Sequence, residues 1–410
     1  MTGREAWIID GVRSPRGKGK ATGSLHALHP QEILAQVLNA LRDRVGFDPL
    51  DVEDVIAGNG NQTGEQGGDI GRMAVLTAGW PIETPGVVLN RFCGSGQQAV
   101  TWAAMGVMSG QQDLVIGCGV ESMSRWDPAL ASRLDGDNPH LMQRHPIVPQ
   151  GISADLIATL EGFSRADVDA YALQSQERCE KAMAEGRFDG SVVPIHHLDG
   201  TLALDRDEHP RAGTTLEGLA ALKPSFARMG SELMPGYDAP FDELAKRVYP
   251  QVSEIDHVHH AGNSSGVVDG AAAILVASPE YAKAHGLRPR AKVRATAVAG
   301  AEPVIMLTAP TPAGRKVVAK AGMALGDVDL WEINEAFAAI PMKTTRDLGL
   351  DPAIVNVNGG AIALGHPIGG TGPMLIQTVL DELERRDLTV GGVLMCTGGG
   401  MGTATIIERI

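Results

Sequence analysis
The same order of strand and helix signals occurs twice along this chain, and a repeat of that kind constrains the fold more than any single motif. Ala6-Trp7-Ile8-Ile9-Asp10-Gly11-Val12-Arg13 reads as a strand, and so does Ala291-Lys292-Val293-Arg294-Ala295-Thr296-Ala297-Val298. Each is followed by a loop and an amphipathic helix, Gln31 to Val45 and Thr311 to Ala321. Asp51 to Gly58 is matched by Asp327 to Asn334, and each half then runs a strand into a glycine-rich turn and a helix of small residues. The turns are Cys93-Gly94-Ser95-Gly96 and Gly369-Gly370-Thr371-Gly372. An apolar strand closing on a cysteine and glycines follows in both, at Cys118 and at Cys396. Two alternating β/α halves imply sheets covered by helices and packed against each other.

The halves differ in one place. After Cys396 the final strand, Thr403 to Ile407, comes within a few residues, whereas its counterpart in the first half is Gly270 to Val276. The intervening stretch, 127–258, is rich in Pro, His and charge, and holds a helix from Ser164, with Asp167 completing a capping box, to Gly186. It reads as an inserted domain lying over the site. The expected organisation is therefore a first half of residues 1–126 plus 259–277, an inserted loop domain of 127–258 and a second half of 278–410.

Four stretches carry chemistry. In Asn90-Arg91-Phe92-Cys93-Gly94-Ser95-Gly96 the thiol sits where a strand turns into a helix, beside unpaired amides whose partial positive charge favours the thiolate. In Gly365-His366-Pro367-Ile368-Gly369-Gly370-Thr371-Gly372, Pro367 restricts the backbone at His366. Cys396-Thr397-Gly398-Gly399-Gly400-Met401-Gly402 offers a second thiol and free amides for an oxyanion. Asn334 in Asn334-Glu335-Ala336-Phe337-Ala338 adds a neutral hydrogen-bonding group at a strand end. Together they supply a nucleophile, a base, an amide partner and a second acid/base.

Composition narrows the partners. The net charge of −14 disfavours nucleic acid and anionic membranes, and an acyl carrier protein, itself acidic, would call for a basic docking patch. Four unpaired, distant cysteines (Cys93, Cys118, Cys179, Cys396) suit a reducing compartment. With no signal-like apolar core and no peroxisomal C-terminus, the cytoplasm is the expected location. Gly94-Ser95-Gly96-Gln97-Gln98-Ala99 also satisfies a dinucleotide fingerprint, but that reading leaves both reactive thiols and His366 unexplained. His257, His259 and His260 lack placed carboxylates in the sequence and read as a polar loop, so no metal is expected. Cys118 and Cys179 read as buried structure.

Over nearly its whole length the chain resembles the thiolase family, the acetyl-CoA acetyltransferases and 3-ketoacyl-CoA thiolases. The match runs through Val12-Arg13-Ser14-Pro15, Asn90 to Ala99, Gly117 to Ser122, Ala261-Gly262-Asn263-Ser264-Ser265 and the three C-terminal motifs in family order. The resemblance implies a duplicated βαβαβαββ core in a five-layer αβαβα arrangement with an inserted loop domain. It implies that Cys93 carries the acyl group and that His366 takes its proton and, with a water held by Asn334, forms one oxyanion site. Cys396 exchanges the proton at C2 of acetyl-CoA, and the amides of Cys93 and Gly398 form the second oxyanion site. Coenzyme A is a substrate, and no cofactor is permanently bound. Its contacts would include Arg211 at the adenine, within Asp207-Glu208-His209-Pro210-Arg211, and Phe226 and Ser265 at the pantetheine, with Met306 and Phe337 walling the acyl pocket. A homodimer or homotetramer is implied, and a complex with other β-oxidation enzymes is compatible with it.

Two departures bear on substrate. Where short-chain biosynthetic relatives carry His-Met-Gly, this chain has Pro149-Gln150-Gly151, and Ala227 to His260 is an extended segment. Both favour thiolysis of longer or bulkier 3-ketoacyl-CoA esters over dedicated acetoacetyl-CoA synthesis. A non-catalytic acyl-CoA-binding homologue would be expected to have lost one of Cys93, His366, Asn334 or Cys396, and all four are present.

Overall fold
The computed structural model describes residues 4–127 and 133–410. In the first half β1 (Trp7–Arg13), β2 (Asp54–Gly58), β3 (Val87–Leu89), β4 (Leu114–Ser122) and β5 (Val268–Ala277) form a sheet in the order β3-β2-β4-β5-β1. β2 runs parallel to β3 and β4, while β5 is antiparallel to β4 and β1. The second half repeats this with β6 (Ala291–Gly300), β7 (Leu330–Ile333), β8 (Val390–Thr397) and β9 (Met401–Arg409), in the order β7-β8-β9-β6. Val355, bridged in parallel to Trp331, stands where β3 stands in the first half. The two sheets also touch edge to edge, through Trp7↔Lys292 and Ile8↔Ala291 between β1 and β6, so that their hydrogen bonding is continuous.

Helices α1 (Pro30–Val45) and α2 (Ile70–Thr77) cover the outer face of the first sheet, and α3 (Ser95–Ser109) lies on its inner face. The inserted stretch contributes α4 (Gln150–Glu161), α5 (Arg165–Ala184) and α6 (Phe241–Val248). In the second half α7 (Pro310–Ala321) and α8 (Ala339–Leu348) lie outside, and α9 (Thr371–Arg386) lies inside against α3. The resulting layers are helix, sheet, helix, sheet, helix. The sequence accounts for them directly. Ile33, Leu34, Val37, Leu38 and Leu41 recur at helical spacing and form the buried stripe of α1, which starts at Pro30 and stops at the left-handed Gly46. The middle layer pairs small residues with large ones, Ala99, Ala103 and Ala104 of α3 in one core with Leu375, Ile376 and Leu380 of α9.

Close approach of α3 and α9 places the site. A Cβ on Gly372 would lie 2.1 Å from the Gln97 amide nitrogen, and one on Gly96 would lie 2.2 Å from the Gly369 carbonyl oxygen. Only glycine lets the two helix starts meet, and that brings the Cys93 turn beside the His366 turn. The same contact explains the dinucleotide-like fingerprint: the space at Gly96 is taken by backbone of the other half.

The inserted stretch packs into the second half. Phe241, Leu244, Val252 and Ile255, all within the extended segment, share one core with Ile152 and Ile157 of α4 and with Met306 and Ile340. The three histidines prove not to be a polar loop. Asp155 of α4 lies 2.8 Å from His257 Nδ1 and 2.7 Å from His259 Nδ1, and accepts the amides of Val258 and His259. His257 Nε2 is 3.1 Å from Asp242, and His260 Nε2 is 2.8 Å from Asp169. Asp155 and Asp169 lie about a hundred residues upstream of these histidines, beyond the reach of a local sequence reading, while Asp242 lies 15 residues before His257. Among the described residues, no helix is long and apolar enough to cross a membrane.

Candidate active site
The chain reaches Cys93 through a strained turn. Phe92 adopts φ +48, a left-handed conformation that costs a residue with a Cβ about 1–2 kcal/mol. Local hydrogen bonds hold it: Asn90 Oδ1 accepts from the Phe92 amide at 2.7 Å, and Ser95 Oγ accepts from the Arg91 amide at 2.8 Å. The Ser95 hydroxyl in turn donates to the Phe92 carbonyl at 2.6 Å. Asn356, at the corresponding turn of the second half, has the same φ of +48.

The Cys93 thiol is not a resting thiolate. Burial pushes it up to about 11, outweighing hydrogen bonds from the Gln150 side chain, its own amide and the Gly398 amide, while Glu121 adds repulsion. The helix start was expected to favour the charged form, but loss of water is the larger effect at a residue 5% exposed. A thiol in this state would need a base to act as a nucleophile.

His366 has the form of that base. Its Nδ1 is 2.6 Å from Thr371 Oγ1, whose single proton goes to the Pro367 carbonyl at 2.9 Å. The hydroxyl must then accept from Nδ1–H, which leaves the lone pair on Nε2. Burial, with the Arg16 charge adding to it, depresses His366 to about 3, so the ring is neutral at ordinary pH. Asn334, at the end of β7, places Nδ2 3.5 Å from His366 Nε2, and its Oδ1 is buried with no partner among the described residues. That oxygen is left with its hydrogen-bonding capacity unused.

Cys396 ends β8, is buried, and is pushed up by burial and then by the charge of Cys93. Cys396 thus lies close enough to feel charge on Cys93. Beyond it the left-handed pair Gly399 (φ +75) and Gly400 (φ +79) bends the chain so that the Gly398 amide faces the Cys93 sulfur. Any side chain at Gly400 would meet the Ala301 carbonyl at 2.6 Å.

The expected coenzyme A contacts fall into separate groups. Phe226 lies edge-on to Phe337, with centroids 5.8 Å apart, and its ring fills the place of a Gly151 side chain. The Ser265 amide donates to the Ala336 carbonyl at 2.9 Å. In the run from Asp207 to Arg211, Asp207 receives both Arg13 guanidinium nitrogens at 2.8 and 2.7 Å, and Glu208 accepts the Lys18 amide at 2.8 Å. Arg211 remains exposed.

A cavity of ≈ 310 Å³ opens at Cys93, with Phe92, Met123, Trp126, Leu134, Gln150 and Ile368 on its walls. Met306 and Phe337 do not line it. Both belong instead to the core that contains Cys396. Three contributors had no role in the sequence reading. Gln150 was visible only as a departure from the family pattern, Glu121 as part of Gly117 to Ser122, and Thr371 as one residue of a glycine-rich turn. Glu121 holds the turns together by accepting the amides of Gly60 and Gly369 at 2.9 Å and of Asn61 at 3.1 Å. Cys118 lies in the outer core and Cys179 in a small cluster on α5, and neither borders the cavity.

Comparison with known proteins gives the family. The model of the thiolase N-terminal domain matches residues 6–233, and that of the C-terminal domain matches residues 287–409. The chain belongs to the thiolase family. It is 38% identical to a steroid 3-ketoacyl-CoA thiolase of Mycobacterium tuberculosis, over 99% of this chain and 94% of that protein. It is 39% identical to a β-ketoadipyl-CoA thiolase of Pseudomonas aeruginosa, over 99% and 100%. The crystal structure of the Bacillus anthracis acetyl-CoA acetyltransferase superposes with a TM-score of 0.85 at 35% identity, covering 100% of this chain and 99% of that one. This thiolase is therefore an acyltransferase acting on coenzyme A thioesters, with the family fold.

Proposed function
We propose that this thiolase works in the degradative direction, cleaving 3-ketoacyl-CoA esters longer or bulkier than acetoacetyl-CoA. The observation that carries this reading is the ≈ 310 Å³ of space beside the Cys93 thiol, most of which an acetyl group would leave empty. Neutral His366 takes the Cys93 proton as the sulfur adds to C3 of the substrate. The C2–C3 bond then breaks, its electron pair passing to C2 as the enolate of acetyl-CoA, and Cys396 delivers a proton to C2. The shortened acyl group remains on Cys93 as a thioester. The thiol of a second coenzyme A gives its proton to the Cys396 thiolate and attacks that thioester; the shortened acyl-CoA is released as the departing Cys93 sulfur recovers its proton from His366.

Developing negative charge on oxygen meets the amides of Cys93 and Gly398 at one site, and His366 with the Asn334-held water at the other. Each such donor is worth about 3 to 4 kcal/mol in comparable sites. Arg211, Phe226 and Ser265 would line the coenzyme path, with Met306 and Phe337 walling the Cys396 side.

The same reading places the enzyme in the cytoplasm, within β-oxidation-type breakdown of acyl chains, as a homodimer or homotetramer. What supports an oligomer is the outer edge of β3, the last strand of its sheet, together with exposed Trp102 and Met105 on α3. The deciding experiment is steady-state kcat/KM for thiolysis across a chain-length series. Strict preference for acetoacetyl-CoA, with efficient condensation of acetyl-CoA, would point to biosynthesis instead.

A further inference from the structure
Within the thiolysis reading, we propose that the acyl group held on Cys93 is uncharged and of medium length, and that carboxylate-tipped chains are excluded. The cavity beside the thiol fixes the size. A cavity of ≈ 310 Å³ is much larger than an acetyl group needs, and beside the thioester end of coenzyme A it leaves room for an acyl chain of medium length.

Its walls fix the chemistry. Gln150 marks the thiol end, hydrogen-bonded to the Cys93 sulfur, and Phe92, Met123, Trp126, Leu134 and Ile368 give most of the rest an apolar surface, which the uncharged Asn61 and Ser122 also join. None of the described residues lining the cavity is Lys, Arg or His. Of the nearby cations in sequence, Arg125 pairs with Glu65 at 2.6 Å, Arg133 pairs with Asp135 at 2.6 Å and stacks over Tyr237, and Arg91, with Nη1 3.7 Å from Met401 Sδ, does not line the cavity. The charged group that does reach the cavity is Glu121, an acceptor for three backbone amides. A second carboxylate at the end of the acyl chain would thus enter a cavity whose one charged lining group is an acid and whose described lining offers no cation, and losing water there without a partner is unfavourable. A β-ketoadipyl-type substrate leaves that group on its acyl chain, so this thiolase is set apart from the β-ketoadipyl-CoA thiolases it otherwise matches.

The test uses the full-length enzyme and a substrate pair that differs only in the terminal group, 3-ketohexanoyl-CoA and 3-ketoadipyl-CoA, flanked by acetoacetyl-CoA and 3-ketooctanoyl-CoA. Expected kcat/KM values favour 3-ketohexanoyl-CoA over 3-ketoadipyl-CoA by about 100-fold, and 3-ketooctanoyl-CoA over acetoacetyl-CoA by at least about 10-fold. Leu134→Trp, at a partly exposed wall position, should lower the 3-ketooctanoyl to acetoacetyl ratio about 10-fold. Leu134→Arg should raise the 3-ketoadipyl to 3-ketohexanoyl ratio by a similar factor. Equal or better turnover of 3-ketoadipyl-CoA overturns the exclusion while leaving thiolysis of long substrates standing. Preference for acetoacetyl-CoA overturns both readings. An unchanged ratio in a folded Leu134→Trp enzyme shows that the chain lies elsewhere. If neither variant folds, the wild-type substrate pair decides.

Discussion

His366 Nδ1 and Thr371 Oγ1 stand 2.6 Å apart, and the threonine proton is committed to the Pro367 carbonyl. One hydroxyl thereby selects which imidazole nitrogen can act as base. Thr371→Val keeps the shape but leaves Nδ1–H without its acceptor, so the ring can turn over or change tautomer. The expected outcome is a kcat for thiolysis lower by about 10- to 100-fold with little change in KM. Thr371→Ser, which restores the hydroxyl, should recover most of it. Equal losses in the two variants would mean that packing, not the hydroxyl, matters there.

The buried Cys93 thiol makes its own prediction. Because it is pushed up to about 11, labelling by iodoacetamide in the free enzyme should accelerate roughly tenfold per pH unit through pH 9 and beyond. Gln150→Leu removes a hydrogen bond that favours the thiolate and should slow labelling at a fixed pH about 3- to 10-fold. Mass spectrometry of the Cys93 peptide measures both. A labelling rate already level at pH 8 would show a pre-formed thiolate and refute this account.

Acid should destabilise the fold through His366. The unfolded chain takes up the imidazole proton near 6.5 and the folded chain only near 3, so the unfolded state binds more protons between those values. The contribution is complete above pH 6.5 and is lost as pH falls toward 3. Between pH 7.5 and pH 5 it amounts to about 2 kcal/mol. Urea unfolding of wild type and His366→Asn at the two pH values checks it: the variant should lose less stability on acidification. Parallel losses would assign the acid sensitivity to other groups.

How far the sequence carries can be seen residue by residue. Cys93, His366, Asn334, Cys396 and Gly398 each end or follow a strand or open a helix, so local patterning identifies their settings, and the repeated strand order supplies the architecture. Contacts across long separations were not legible. The bonds from Asp155 to His257 and His259 join α4 to a loop a hundred residues later, and turn an apparent polar loop into a buried network. Gln150 looked like a substituted position, and only the packing of α4 against the Cys93 turn shows what it touches. The resting state of Cys93 was misjudged for a related reason, because burial depends on the whole fold whereas the helix start is local.

Cys396 senses the charge of Cys93, yet it lies in the core with Met306 and Phe337 and does not border the cavity at Cys93. The two thiols should therefore be separable. Cys396→Ser should still be acylated at Cys93 by a simple acyl-CoA, detected as a mass shift, while carbon–carbon bond formation falls by about 100-fold or more. Comparable losses in acylation and condensation would refute the division of labour.

The Arg13–Asp207 pair links the end of β1 to the segment that carries Arg211. Both side chains are buried, at 1% and 2% exposure, and two nitrogens meet two oxygens at 2.8 and 2.7 Å. Burial alone would raise the Asp207 carboxyl, but Arg13 outweighs it and holds the group below its usual range. Asp207→Asn strands a buried guanidinium and should cost about 3 to 5 kcal/mol in urea unfolding. The pair Arg13→Met with Asp207→Leu removes both charges and should recover a large part of that loss. Because Asp207 also accepts the Arg16 amide at 2.9 Å, its loss loosens the base from which Arg211 projects. Folded Asp207→Asn enzyme should accordingly show a raised KM for coenzyme A with a smaller change in kcat. A stability loss under about 1 kcal/mol, the range of surface pairs, would show that the pair does not anchor the segment.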